Sequence, residues 1–108
     1  MEYNIGDIVL KKIVEIIMNR IRKTDILSRW GGEEFIILLP DTKTEKAVIL
    51  AEEIRSQLSN MDIEKVGLVT ASFGVSCYCE GDNIDTLIKK VDDLMYKAKS
   101  DGRNCTRY

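Results

Sequence analysis

The sequence predicts an α+β domain, in which helices pack on an antiparallel sheet. Three observations support this fold class. Apolar residues recur at helical spacing in three segments, two short apolar runs meet at a Gly-Gly pair, and residues 68–79 alternate between apolar and polar positions. A length of 108 residues, with 44% hydrophobic and 31% charged residues, predicts a single unit over residues 1–108.

The N-terminal part of the chain predicts a helix followed by a β-hairpin. The helix runs from about Ile8 to Ile21, and Asp7 is placed to act as its N-cap or first-turn acid. The hairpin joins residues 25–30 to the apolar run 35–39 through Gly31 and Gly32, because glycine supplies the positive φ that a tight turn needs. Glu33 and Glu34 then begin the second strand, with side chains on opposite faces.

The middle of the chain predicts a second helix and a strand. Residues 42–45, Thr-Lys-Thr-Glu, have the pattern of a capping box that opens a helix through about Leu58. After a loop at residues 60–62, the alternation of residues 68–79 predicts a strand with one face against helices. Cys77 and Cys79 fall on the same face of that strand, and we expect both to be buried.

The C-terminal part predicts a third helix from about Ile84 to Ser100, stopped at Gly102, and a short last strand within residues 105–108. The inward-facing stripe of this helix is expected to consist of Ile84, Leu87, Ile88, Val91, Met95 and Ala98.

Composition excludes several function classes. The chain has no histidine, so Ser-His and Cys-His catalysis and His-ligated zinc are excluded, and catalysis would depend on carboxylates, a hard metal ion and cationic side chains. A net charge of −2 gives no basic field for a nucleic acid polymer, and no apolar run approaches the roughly 20 residues of a membrane span. The N-terminus lacks the apolar segment of a signal peptide, which favours a cytoplasmic location, and an odd count of three cysteines in such a chain predicts reduced thiols.

Five segments, in order along the chain, carry a resemblance to one family. Residues 31–35, Gly-Gly-Glu-Glu-Phe, resemble the signature loop of GGDEF domains, the bacterial diguanylate cyclases, in the variant with Glu at the third position. The other four matches are Gly6-Asp7-Ile-Val-Leu10, Arg22-Lys-Thr-Asp25, Ala71-Ser-Phe-Gly-Val75 and the stretch from Tyr96 to Asn104. The chain is identified as a member of this family, which implies a palm-like, ferredoxin-related sheet.

The resemblance implies a phosphoryl-transfer reaction. In this family two GTP molecules on facing domains condense to cyclic di-GMP and pyrophosphate. The resemblance assigns Glu33 and Glu34 to catalysis and to binding of Mg²⁺, or of Mn²⁺ in its place, and assigns Gly31 and Gly32 to substrate binding. The alternative is that both glutamates are solvated turn acids.

Three further positions match substrate-binding residues of the family. Asp7 resembles an acid that binds the guanine edge; the alternative is a helix cap, and both roles can hold at once. Lys99 and Arg103 resemble residues that bind the terminal phosphates, and their spacing of four predicts one helix face. The alternative for these two cations is stabilisation by the helix dipole.

Arg22 and Asp25 resemble an allosteric site that binds cyclic di-GMP, with the guanidinium holding phosphate or stacking on guanine. An intrahelical ion pair, with no ligand, is the alternative. Relatives carry a further arginine in the helix after the hairpin. This chain has Glu53 there, with Arg55 two residues on.

The resemblance also implies that the family domain begins before residue 1 of this sequence. A first helix and the central strand, with a metal-binding aspartate and a guanine-binding asparagine, have no counterpart in residues 1–7. We therefore expect a partial GGDEF domain whose hairpin and 68–79 strand face a gap. Each unpaired buried backbone group costs about 1–3 kcal/mol, so either the two strand edges close together or a second chain fills the gap. Of these, we expect an intertwined or edge-paired homodimer.

Three functional interpretations follow from the resemblance and from this expected gap. The first is a diguanylate cyclase domain that shows no turnover on its own. The second is a catalytically inactive module that binds GTP or cyclic di-GMP. The third is an interaction domain that binds no nucleotide.

Overall fold

Three helices and three two-stranded ladders make up the part of the chain that the computed structural model describes, which is residues 5–30, 34–63, 67–68 and 70–108. The helices are α1 (Ile5–Met18), α2 (Thr44–Ser59) and α3 (Ile84–Ser100). The strands are β1 (Ile26–Arg29), β2 (Phe35–Leu38), β3 (Asp62–Ile63), β4 (Gly67–Leu68), β5 (Phe73–Gly74) and β6 (Thr106–Arg107).

Two of the ladders are antiparallel and the third is parallel. Strands β1 and β2 form the predicted hairpin, in which Ile26 faces Leu38 and Arg29 faces Phe35. Strands β3 and β4 form a short second hairpin. Strand β6 pairs with β5 in parallel, because α3 lies between them in the chain and returns it to the same end of the sheet.

The core lies between α1, α2 and the hairpin. Ile16 and Ile17 of α1 pack against Ile54 and Leu58 of α2, and all four side chains are almost fully buried. Partly buried apolar residues surround this cluster; they include Leu27, Ile37, Leu50, Met61, Ala71 and Phe73. The hairpin therefore contributes one face to the core, which fixes the orientation of β1 and β2 relative to the helices.

Helix α3 packs on β5 at very short range. A Cβ atom added to Gly74 would lie 2.3 Å from the carbonyl oxygen of Val91 and 2.5 Å from the backbone nitrogen of Met95. Only glycine allows the two backbones to approach this closely. Near the other end of the helix, Ala98 is fully buried.

The α+β prediction is confirmed, and α3 has the predicted bounds of Ile84 and Ser100. The last strand within residues 105–108 is also confirmed, by β6. Helix α1 lies three residues earlier than predicted, although a backbone bond from Ile21 to Ile17 continues the helical pattern beyond Met18. The loop predicted at residues 60–62 instead leads directly into β3.

The predicted capping box at residues 42–45 is wrong. Helix α2 begins at Thr44, and its N-cap residue, Lys43, makes no side-chain cap hydrogen bond. Thr42 is engaged elsewhere, since its hydroxyl donates to the carbonyl of Pro40 at 3.0 Å. A hydroxyl that bonds backward along the chain does not cap the helix that follows it.

The predicted strand over residues 68–79 and its buried cysteines are also wrong. Strand β5 is limited to Phe73–Gly74, because within the described residues β6 is the segment that pairs with it, over two positions. Cys77 and Cys79 lie beyond the strand and are exposed. Ile84, predicted to face inward, is 70% exposed because it precedes the part of α3 that packs on β5.

The hairpin and β5 belong to separate ladders in the part of the chain that the structure describes. Over the same residues, no helix combines the length and the apolar character needed to cross a membrane.

Candidate functional site

The turn of the β1–β2 hairpin carries the predicted acidic site. The backbone N–H of Trp30 donates to the carbonyl of Glu34 at 2.8 Å, which extends the ladder one pair beyond Arg29 and Phe35. Glu34 is exposed beside the turn. Gly31, Gly32 and Glu33 lie outside the described residues. Glu34 is thus positioned by a backbone contact at the tip of the hairpin.

Arg22 and Asp25 lie together at the opposite, open end of the hairpin. The guanidinium donates to the carboxylate from Nη2 at 2.7 Å and from Nε at 3.1 Å, and the backbone N–H of Arg22 donates to the same carboxylate at 2.8 Å. The carboxylate is buried, with a side-chain exposure of 3%, whereas the guanidinium is 53% exposed. Arg22 lies beyond the end of α1, so the predicted alternative of an intrahelical pair is wrong.

Pro40 and Thr42, which follow β2, also bond to the guanidinium of Arg22. Nη2 of Arg22 also donates to the carbonyl of Pro40 at 2.6 Å and to the hydroxyl of Thr42 at 2.9 Å. The guanidinium therefore links the residues before β1 to the residues after β2. Sequence analysis missed Pro40 and Thr42, because nothing in their spacing from Arg22 indicates that the hairpin brings them together.

Charge and hydrogen bonding shift the pKa values of both Arg22 and Asp25. The hydrogen bond from Arg22 lowers the pKa of Asp25, and the backbone N–H of Arg22 adds to this effect. The same side-chain hydrogen bond raises the pKa of Arg22. Both groups are therefore charged at neutral pH, and the pair forms a fixed dipole with its positive end toward solvent.

The C-terminal end of α3 carries Lys99 and Arg103. The helix closes in a Schellman motif, in which the N–H of Arg103 donates to the carbonyl of Ala98 at 3.0 Å and the N–H of Gly102 donates to that of Lys99 at 3.4 Å. Gly102 has φ +113°, and Arg103 has φ +62°. The prediction that Lys99 and Arg103 share a helix face is wrong, because Arg103 lies beyond the helix in a left-handed conformation.

Contacts from α2 hold the residues after this helix end. Arg55 donates to the side-chain oxygen of Asn104 at 3.0 Å, and it also pairs with Glu52. Glu53 pairs instead with Arg20 at 2.8 Å. Arg55 therefore positions the loop that bears Arg103, a role that sequence analysis did not identify.

Asp7 lies in the first turn of α1, the position predicted for an N-cap or first-turn acid, and its side chain is exposed. It borders a shallow hollow of about 230 Å³ that is lined by α1 itself, at residues Asp7, Ile8, Lys11, Lys12 and Glu15.

The donor set of the hairpin turn fits a hard cation in chemical type. Carboxylate oxygens are the ligands that Mg²⁺ prefers, and one or two of them usually suffice when substrate phosphates supply the rest. Within the described residues, no group of three or more His, Cys, Asp or Glu side chains is placed to hold a metal ion. Of the two predicted metal-binding residues, Glu33 and Glu34, the structure describes Glu34.

Comparison with known families agrees with these features. The profile described as "Diguanylate cyclase, GGDEF domain" matches residues 3–105. The chain belongs to the GGDEF family. It is 43% identical over 99 residues to diguanylate cyclase DgcM of Escherichia coli (strain K12), and these residues span 92% of the chain and 24% of that protein. It is 37% identical over 108 residues to the response regulator PleD of Caulobacter vibrioides, across 94% of the chain and again 24% of the relative.

Solved structures give the same result for the fold. The active GGEEF domain of a diguanylate cyclase from Vibrio cholerae superposes with a TM-score of 0.91 at 34% identity, covering 99% of this chain and 70% of that one. The GGDEF domain of DgcB from Caulobacter crescentus, in complex with c-di-GMP, gives 0.90 at 25% identity, covering 94% and 63%. The chain thus spans about a quarter of the full-length relatives and about two thirds of these domains.

Proposed function

We propose that this chain is a diguanylate cyclase-type domain of bacterial second-messenger signalling, whose chemistry converts two GTP molecules to cyclic di-GMP and two pyrophosphates. Membership of the GGDEF family supports the class. The Vibrio cholerae domain, which is described as active, bears the same five-residue loop, Gly-Gly-Glu-Glu-Phe, that this chain has at residues 31–35. Glu at the third position is therefore compatible with the reaction.

Each predicted residue has a place in this proposal. Glu33 and Glu34 would hold Mg²⁺ or Mn²⁺, which neutralises phosphate charge and lowers the pKa of the attacking hydroxyl. Gly31 and Gly32 would let the backbone approach the phosphates. The remaining assignments are the guanine edge to Asp7 and the terminal phosphates to Lys99 and Arg103.

We further propose that residues 1–108 alone bind nucleotide without turning it over. The supporting observation is that the hairpin turn and the end of α3 are attached to separate ladders within the described residues. Phosphoryl transfer needs its binding groups fixed to within about 0.5 Å. Within the described residues the two ladders share apolar core contacts but no strand pairing, and we propose that these contacts alone do not keep that precision.

Incubation of the chain with GTP and Mg²⁺, followed by chromatography of the products, tests this proposal. We expect no cyclic dinucleotide, together with GTP binding measurable by calorimetry. A variant with Glu33→Gln and Glu34→Gln is the control. Product from the wild type and none from the variant would overturn the lack of turnover while supporting the class, and absence of both product and binding would favour the interaction domain.

Binding of cyclic di-GMP without catalysis is the second candidate function, and the Arg22–Asp25 geometry favours it. Within the described residues, the hydrogen bonds of the guanidinium use Nε and Nη2, and half of the side chain faces solvent. Nη1 and the planar face are thus available for a phosphate or a guanine. Asp25 acts through Arg22, as a positioning residue.

Calorimetry with cyclic di-GMP tests this second function. Arg22→Met should weaken binding at least about tenfold, because a charge-assisted hydrogen bond contributes roughly 1.5–3 kcal/mol. Arg20→Met is the matched control, since Arg20 lies two residues away and bonds to α2 through Glu53 and Gln57. Equal affinity of the Arg22 variant and the wild type would exclude this site.

We propose a homodimer in which the outer face of the hairpin meets a second copy of the chain. Ile26, Trp30 and Leu38 share this face, and each is at least half exposed. Light scattering at micromolar concentration should therefore report a dimer. Leu38→Glu should dissociate it, whereas Ile49→Glu, at an exposed position on α2, should not. A wild-type monomer would contradict this proposal.

We also propose that this protein is located in the cytoplasm. The three cysteines are free thiols, as expected in a reducing compartment.

A further inference from the structure

Cys77 and Cys79 form an exposed pair of thiols between β5 and α3. Their sulfur atoms are 4.0 Å apart, and both side chains face solvent. Residues two apart in an extended segment project to the same side, which explains the approach. The third cysteine differs, because Cys105 is partly buried and its thiol donates to the carbonyl of Ala98 at 3.3 Å.

Fixed contacts hold the backbone around the pair. Lys90 of α3 donates to the carbonyl of Cys77 at 3.2 Å and to the carboxylate of Asp82 at 2.5 Å. The N–H of Cys79 donates to that same carboxylate at 2.9 Å, and the N–H of Asp82 donates back to the carbonyl of Cys79. The two thiols are therefore presented by a closed loop anchored on a helix.

The surroundings of Cys77 favour its thiolate. A hydrogen bond with the side chain of Thr44, the first residue of α2, is the main cause of a lowered pKa of Cys77, followed by the hydrogen bond with Cys79 and the charge of Lys90. Hydrogen bonds to the sulfur and a nearby ammonium group both favour the charged thiolate. Cys77 is thus suited to be the attacking sulfur, with Cys79 beside it.

We propose that Cys77 and Cys79 are a reversible thiol–disulfide site that reacts with small-molecule disulfides. The Cys77 thiolate attacks one sulfur of the small disulfide, forms a mixed disulfide and expels one small thiolate. Cys79 then loses its proton to solvent and attacks the sulfur of Cys77, which expels the second small thiolate. Overall, two protein thiols are oxidised to one disulfide, and one small-molecule disulfide is reduced to two thiols.

The geometry predicts that this disulfide is easily reduced. The sulfur atoms must approach from 4.0 Å to about 2.05 Å. The loop cannot relax freely, because Lys90 and Asp82 hold it on both sides of the pair. Exposed and constrained disulfides are the labile, regulatory ones. Formation of the disulfide would strain the contacts that Lys90 and Asp82 make with this loop. The thiol site does not depend on a bound nucleotide.

The test uses the whole chain in buffers of oxidised and reduced glutathione, with alkylation of the remaining thiols and mass spectrometry of the peptides. We expect Cys77 and Cys79 to become protected together while Cys105 stays alkylated. At neutral pH, Cys77 should react with an alkylating reagent at least about tenfold faster than Cys105. Return to reduced glutathione should restore both thiols.

Two variants make the outcome decisive. Cys79→Ser should stop at a stable mixed disulfide between Cys77 and glutathione, and Cys105→Ser should behave like the wild type. Oxidation of Cys105 at the same rate as Cys77, disulfides formed mainly between chains, or no adduct in Cys79→Ser would each overturn the proposal.

Discussion

The hairpin and the β5–α3–β6 unit are stabilised by different forces. The open end of the hairpin is closed by a solvent-facing guanidinium that bonds a buried carboxylate, and its turn by a backbone contact between Trp30 and Glu34. The second unit is held by a glycine that lets two backbones touch, by a capped helix start and by a Schellman motif at the helix end.

This difference in stabilisation corresponds to the different roles that we propose for the two regions in nucleotide binding. The end of α3 presents Lys99 and Arg103 from a backbone whose φ angles and hydrogen bonds are fixed. The hairpin presents the exposed side chain of Glu34 beside its turn, and its inner face packs on the core through Leu27 and Ile37. The open end of the hairpin depends on an ion pair whose Asp25 carboxylate has a lowered pKa, whereas the approach of α3 to β5 depends on backbone packing that involves no charge.

The largest effect is expected from Gly74→Ala, which breaks the second region. The new methyl group would lie within 2.5 Å of two backbone atoms of α3, so the helix must move away from the strand. We expect a loss of at least about 4 kcal/mol, or failure to fold, as urea denaturation would show. Ser28→Ala, at an exposed position of the hairpin, should change stability by less than about 0.5 kcal/mol. An unchanged urea midpoint for Gly74→Ala would contradict the close approach.

Ile54→Ala should weaken both regions, because Ile54 lies in the core that receives the hairpin and Phe73 of β5. Its side chain is 2% exposed, and we expect a loss of about 3 kcal/mol in the free energy of unfolding. Ile49→Ala on the same helix is the control, since Ile49 is 57% exposed and should change little. Equal midpoints for the two variants would mean that this core is not the main one.

Asn83→Ala should destabilise the β5–α3–β6 unit and leave the hairpin unaffected. The side chain of Asn83 accepts from the N–H of Thr86 at 2.9 Å, and the hydroxyl of Thr86 accepts from the N–H of Asn83. Loss of this capping box should cost about 1 kcal/mol, visible as a lower thermal midpoint. Asn83→Asp should retain most of the stability, and a loss equal to that of alanine would argue against a capping role.

Acidification should have the smallest effect on stability, and this effect should be confined to the hairpin. The folded pKa of Asp25 is below its ordinary value of 3.8, so the contribution of its pair with Arg22 is present above that pH and is lost as pH falls through the folded value. Trp30 fluorescence and amide exchange of β1 and β2 should change in this range. Asp25→Asn should abolish the pH dependence of the hairpin signal while leaving that of the Asp82–Lys90 pair. A titration unaltered by this substitution would assign it to another group.

Much of the architecture was predictable because apolar periodicity records which side of a helix is buried. Helix α3 has the expected bounds, and β1 and β2 pair as the two strands of the expected hairpin. The failures occur where a contact is long-range. The capping box at residues 42–45 failed because Thr42 bonds to Pro40 and Arg22, and the strand through Cys79 failed because pairing ends at Gly74.

The candidate site shows the same division. The motifs placed Glu34 beside the hairpin turn and Arg22 near Asp25, but the contact of Arg22 with Pro40 and Thr42 appears only after the hairpin folds back. The contact of Arg55 with Asn104, which holds the loop of Arg103, joins residues 49 positions apart.

The sequence by itself determined the family, the helices and the identity of the charged residues, because spacing and side-chain chemistry are local properties of the chain. Tertiary structure alone decided which thiols are exposed, which carboxylate is buried and which carbonyls a guanidinium reaches. Those properties depend on distances between segments that are far apart in sequence, and the balance of burial and pairing sets these distances only when the whole chain folds.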